Sequence, residues 1–245
     1  MIKNSIMKLL EPFDHPDLPD HEYSWKIEWL FMIYEKMNTA LEKEERELEE
    51  ALKDISQRIE LAGDEYEAYG RLSSQEAEYT ENINLCIDTR TTTNNTTVIN
   101  FFHFWEKHWF NVIKGAELKH DATDKEIKDF NYKDFETFKG IKKRIEKYRP
   151  IDEKVSLVNN IVNVLKHANR RKIRKLQKER PDLFPISNDE NKINMDFLTD
   201  IAGADALCLK PAHVKEVFII LAQAGPDSSI FYARNKDVKP TDTYP

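Results

Sequence analysis

Apolar residues recur at alternating four and three spacing from Trp25, Trp29, Met32, Ile33, Met37 and Leu41 into Leu48, Leu52, Ile55 and Ile59. This period predicts one amphipathic helix over 23–62, close to 60 Å long at ~1.5 Å per residue. Its EKEERELEE centre reads as a solvated face. Gly63 and Gly70 mark a break or kink, and 65–84 is again charged and helical in pattern. The run TRTTTNNTT over 89–97 is poor helix interior but rich in N-cap residues, so it predicts a loop that starts a new helix. That next helix, 97–114, carries Phe101, Phe102, Phe104, Trp105, Trp109 and Phe110, which marks it as the central, most buried one.

A polar loop over 119–133 leads to a short helix over 134–148 that ends at Arg149-Pro150. In the stretch VSLVNNIVNVLKHANRRKIRKLQKERPDLF, 155–184, the pattern predicts a helix over 155–170 followed by a second basic helical piece that ends at Arg180-Pro181. At about 100° per residue, Val158, Ile161, Val162, Leu165 and Leu176 share its apolar side. A polar linker over 187–195 precedes Phe197, Leu198 and Ile201, and a last helix over 211–224 bears Val214, Val217, Phe218 and Leu221. Pro12, Pro16 and Pro19 make 1–22 an irregular arm. The pattern as a whole predicts an all-α, up-and-down helical bundle over 23–186 with one long N-terminal helix. Residues 187–245 follow as a small helical C-terminal extension and tail.

Only 6 Gly in 245 residues strengthens the helical reading, because strand-rich folds need more turn glycines. A net charge of -7 excludes a generally basic nucleic-acid coat, so contact with nucleic acid falls to a local patch, and the basic run over 166–180 is the candidate. Cys86 and Cys208 have no metal-ligand spacing and are too few for a disulfide framework, which points to a reducing cytoplasm. The pattern holds neither a signal peptide nor an apolar run near the ~18 residues of a membrane span, so no membrane partner is expected. With no Walker loop, no GxGxxG and no GxSxG elbow, neither a cofactor nor a metal is expected.

Acid/base chemistry remains. On the polar side of 155–184, Asn160, Asn163, His167, Arg171 and Arg174 fall within roughly a quarter-turn of each other. A histidine accepts the proton of an RNA 2'-hydroxyl or protonates a leaving 5'-oxygen, while a guanidinium stabilises charge on the phosphorane. His167, Asn163 and Arg171 are therefore the candidate catalytic set, and Asn160, Lys166, Arg170 and Arg174 the candidate phosphate or RNA contacts. The bland reading of His167 is a solvent-facing or capping residue, and that of the asparagines is a polar bundle network. His103 and His108 lie about 140° apart around a helix and do not chelate as an i, i+4 pair would. Glu106 is either a surface charge or a group facing the Asn/His strip.

The stretch LVNNIVNVLKHANRR, following FFHFWEKHW, resembles the HEPN superfamily of helical bundles, found among toxin-antitoxin, abortive-infection and CRISPR-associated ribonucleases. LKHANRR, RPDLF and LCLKPAH also resemble segments of uncharacterised bacterial proteins. The HEPN resemblance spans about 25–184. It implies Arg, a polar residue, a few variable residues and His on one late helix, with the active site formed across a homodimer. Asn163 matches the polar position and His167 the histidine. The arginine position falls on Val162, and neither Ile161 nor Asn160 supplies it. Either activity has been lost, or Arg170, Arg171 or Arg174 supplies the cation from beyond the histidine. Two readings follow: a metal-independent endoribonuclease of a bacterial toxin or phage-defence system, and a non-catalytic helical module that dimerises through its long helices. RNA, a second copy of the chain, and a cognate antitoxin or defence subunit are the expected partners.

Overall fold

The computed structural model describes residues 21–62, 66–118, 123–125, 130, 135–167, 170–184 and 207–226. The described residues are all-helical, without a strand. The elements are α1 (His21–Ala62), α2 (Tyr66–Glu117), α3 (Phe138–Ile145), α4 (Glu153–His167), α5 (Arg170–Glu179), a 3-10 turn (Pro181–Leu183) and α6 (Pro211–Gln223).

The long N-terminal helix forms as its period predicts, and it pairs along its length with the still longer α2. The pairing is antiparallel, because partners on α2 fall in number as those on α1 rise. Tyr34 bonds Asn94, Arg90 reaches Glu45, and Ser56 donates to Glu76. Beyond Asn38 and Asn94 the two helices pack chiefly on each other, with Ile55 as the buried contact of that outer part. Their other ends hold the main core, where Tyr23, Ile27, Phe101, Trp105, Trp109 and Ile113 are fully buried among α3, α4 and α6.

Two expectations for α2 are corrected. Gly70 does not break the helix, and 89–97 is its interior rather than a loop. The reason is tertiary. Asn94 and Asn95 are buried at 2% exposure, and their amides donate to the carbonyls of Leu209 (2.6 Å) and Leu207 (3.1 Å), while Tyr34 donates to Asn94 (2.8 Å). Specific partners for the amides thus outweigh the low helix propensity of the threonines around them.

The C-terminal segment belongs to this same core. Leu207, Leu209, Val214, Val217 and Leu221 are buried in one cluster with α1, α2 and α4. Trp105 and Trp109 both donate their indole N–H to the carbonyl of Ala224, at 2.9 Å each, which satisfies an acceptor that the end of α6 leaves open. Gly225 lies so close to Tyr23 that an added Cβ would stand 1.9 Å from Cε1 of its ring. Residues 1–20 and 185–206, where the N-terminal arm and the polar linker are predicted, lie outside the described residues.

Candidate functional site

The stretch 155–184 forms two helices, in keeping with the expectation of a helix followed by a second basic helical piece. His167 closes α4 and Arg170 opens α5, with Ala168 and Asn169 outside the described residues. Val155, Val158, Ile161, Val162 and Leu165 bury the inner side of α4. Ile173 and Leu176 bury that of α5, and Leu183 in the turn beyond it accepts a hydrogen bond from the backbone N–H of Cys208 at 2.8 Å. Asn160, Asn163 and His167 thus share α4, whereas Arg171 and Arg174 stand on α5.

Within α4 the candidate residues differ. The Asn163 amide donates to the backbone carbonyl of Asn159 (2.7 Å) and to its side-chain oxygen (2.9 Å). Asn163 is therefore turned back along its own helix, as expected of a polar network residue. Asn159 and Asn160 are half-buried, whereas Lys166 and His167, in the last turn, are exposed. The end of a helix is where cationic side chains are favoured, since the macrodipole places partial negative charge there.

Cations continue on α5. Arg170, Arg171, Lys172, Arg174, Lys175 and Lys178 are all exposed, and Glu179 is the only acid of the helix. Lys175 approaches Glu179 at 3.8 Å on open surface, a screened contact. On a chain of net charge -7, this ten-residue helix is a concentrated positive patch.

The helix α2 packs against α4. His103 Nδ1 lies 3.0 Å from Glu106 Oε2, one helical turn away. Burial pushes the Glu106 carboxyl above its ordinary range, opposed by its hydrogen bond to His103 and by the positive charges of His103 and Lys166. The i, i+3 spacing of His103 and Glu106 was the signal available in the sequence. His108 is separate, since its ring packs on Tyr23 and Phe104 and its Nδ1 bonds the Phe104 carbonyl at 2.9 Å.

A second polar cluster joins the segments RPDLF and LCLKPAH. Arg180 forks onto Asp182 (2.8 Å) and Glu216 (2.9 Å), and His213 Nε2 lies 3.3 Å from Asp182. His213 Nδ1 accepts from the Lys210 backbone N–H at 3.0 Å, which caps α6 and assigns the ring proton to Nε2. With all these groups engaged in closing the fold, the cluster reads as a clasp. Among the described residues, no group of three or more His, Cys, Asp or Glu is placed to hold a metal ion, and no helix is long and apolar enough to cross a membrane.

In comparison with known proteins, no family model, no curated protein and no solved structure matches this chain.

Proposed function

We propose that this chain is a cytoplasmic, HEPN-like protein of a bacterial toxin or phage-defence system that takes the backbone of RNA on the face made by the last turn of α4 and by α5. There it cleaves the RNA without a metal, and His167 is the acid/base group. The observation that carries this reading is the exposure of the His167 imidazole beside Lys166, on a surface that runs into the cations of α5. Phosphates are drawn to that patch by charge, and an accessible imidazole is the group that moves protons near neutral pH. Arg171 is the proposed stabiliser of phosphorane charge, with Lys166, Arg170 and Arg174 as phosphate contacts. Asn160 and Asn163 flank them, and Asn163 contributes by rigidifying α4.

Binding of single-stranded RNA, measured by fluorescence anisotropy across a salt series, tests the face. The triple change Arg170→Ala, Arg171→Ala, Arg174→Ala should lower the slope of log affinity against log salt by about 2, since each phosphate contact on a single strand contributes about 0.7. An unchanged slope would remove this face from the reading.

A second reading, a non-catalytic module that dimerises through its long helices, is favoured by the outer side of α1. Trp25 is 62% and Met32 42% exposed, on the side opposite the buried Tyr23, Ile27 and Tyr34. A stripe that is apolar away from the core suits a protein surface such as a second copy of the chain or a cognate antitoxin. Sedimentation that gives a dimer broken by Trp25→Asp, with no RNA cleavage by any form, is the outcome belonging to that reading.

A further inference from the structure

Charge is divided between two distant faces of the fold. On α5, Arg171, Arg174, Lys175 and Lys178 stand exposed on the side away from the buried Ile173 and Leu176. The outer part of α2 is the reverse, because 72–89 carries Glu76, Glu78, Glu81 and Asp88 and no Lys, Arg or His. Arg90 and Glu76 both turn to α1, where they meet Glu45 at 2.6 Å and Ser56 at 2.9 Å. The opposite side of α2 therefore presents Ser74, Glu78, Glu81, Leu85 and Asp88, all exposed. Their spacing alternates four and three, the period of a seam between packed helices. Leu85 is 63% exposed in the middle of it, with an acid one turn away on either side. The EKEERELEE run of α1 lies alongside and adds a further excess of acid.

The two faces match in length as well as in sign. Glu81 and Asp88 are seven residues apart, about 10 Å along the helix, and so are Arg171 and Lys178. With those ends paired in either direction, Leu85 falls opposite Arg174 or Lys175, whose aliphatic stems cover it while their charges stay in water. Beyond Asn94 the hairpin packs chiefly on itself, and α5 is held by α4 and by the turn after it. We infer that α5 is a docking surface for the outer face of α2 in a second copy of this chain, and that each copy thereby covers the other's candidate RNA site. The covering of that site rests on the RNA-binding reading above, whereas the docking does not. A contact between unlike faces closes when it is made twice about a two-fold axis, so the form expected is a dimer. Exposed ion pairs contribute little each. The dimer is therefore weak, dissolves as salt is raised, and yields α5 to RNA, whose phosphates compete for the same cations.

The test is sedimentation velocity of the full chain at micromolar concentration, in about 50 mM and about 500 mM salt, with circular dichroism as the folding control. The wild type should be a dimer at low salt and a monomer at high salt. Two double variants, Glu81→Lys with Asp88→Lys and Arg174→Glu with Lys178→Glu, should each be monomeric at both. An equimolar mixture of the two should recover the dimer, because each reversed face then meets its complement. Trp25→Asp should behave as the wild type. A wild type monomeric at low salt, a dimer that survives either reversal, a mixture that stays monomeric, or a dimer lost in Trp25→Asp would overturn the docking. Anisotropy of labelled single-stranded RNA at low salt reads the covering. Glu81→Gln with Asp88→Asn, which adds no cation, should raise apparent affinity by ~10-fold where a tenth of the wild-type faces are uncovered. A charge-dependent dimer that RNA neither binds nor disperses removes the RNA reading and keeps the docking. RNA binding by a wild type that stays monomeric keeps the RNA reading and overturns the docking.

Discussion

Trp105 and Trp109, one turn apart on α2, donate to a single acceptor, the carbonyl of Ala224, each at 2.9 Å. This shared bond fixes the end of α6 against the helix that also carries His103 and Glu106. Either tryptophan changed to phenylalanine removes one donor and some packing, while the carbonyl keeps its other partner. The double change leaves a buried acceptor unpaired. Urea denaturation should show a loss of about 2 kcal/mol for each single variant, and a double variant worse than their sum by ~1 kcal/mol. Strict additivity would show that the shared carbonyl does not couple them.

Asn94 makes the second prediction. It accepts from Tyr34 and donates to Leu209 inside the core. Asn94→Ala strands both partners and should destabilise by about 2–4 kcal/mol. Tyr34→Phe, which removes one hydroxyl and keeps the ring, should cost about 1–2 kcal/mol. If Asn94→Ala is neutral, 89–97 is held helical by something other than these bonds.

That segment also shows what the sequence could convey. The apolar period of α1, the aromatic density of 97–114 and the inner side of α4 were legible, because each signal is local and repeats at the helical period. The interior position of TRTTTNNTT was not legible, since the amides of Asn94 and Asn95 are satisfied by carbonyls more than a hundred residues away. The division into α4 and a second, basic helical piece was legible as well. At the candidate site, His167 and the cations of α5 were visible as chemistry, and all of them are exposed. The tie between Asn163 and Asn159 depends on rotamers, which no spacing rule supplies.

The Arg180 clasp gives a pH prediction. Arg180 holds the Asp182 carboxyl below its ordinary 3.8, and burial holds His213 below its ordinary 6.5. Both groups bind protons more readily in the unfolded chain, so both contribute stability that is present above those ordinary values and lost as pH falls through the folded ones. Thermal stability should therefore decline below about pH 6.5, as His213 begins to favour the unfolded state, and decline further below about pH 3.8. Protonation also removes the Nδ1 acceptor that caps α6. In His213→Gln the first decline should be shallower, and an identical profile would place the acid-sensitive group elsewhere. Arg180→Ala should cost only ~1–2 kcal/mol, discounted because the Asp182 and Glu216 side chains are nearly half exposed.

For Arg171 the expectation is kinetic. If its guanidinium stabilises the phosphorane, Arg171→Ala should slow cleavage on the order of 100-fold, the effect of losing one such donor at ~3 kcal/mol. The melting temperature should hold, since the side chain is exposed on α5. A loss confined to RNA affinity and erased at high salt would reassign it to phosphate binding alone.

The most direct measurement is incubation of the purified chain with end-labelled single-stranded RNA in EDTA, alongside His167→Ala, with the melting temperature of both recorded. The account predicts cleavage that leaves 2',3'-cyclic phosphate ends in the wild type. It predicts no cleavage by His167→Ala at an unchanged melting temperature, because His167 is exposed at the end of α4 and carries little packing. Intact RNA with the wild type, or a His167→Ala chain that cleaves as fast as the wild type, would contradict it.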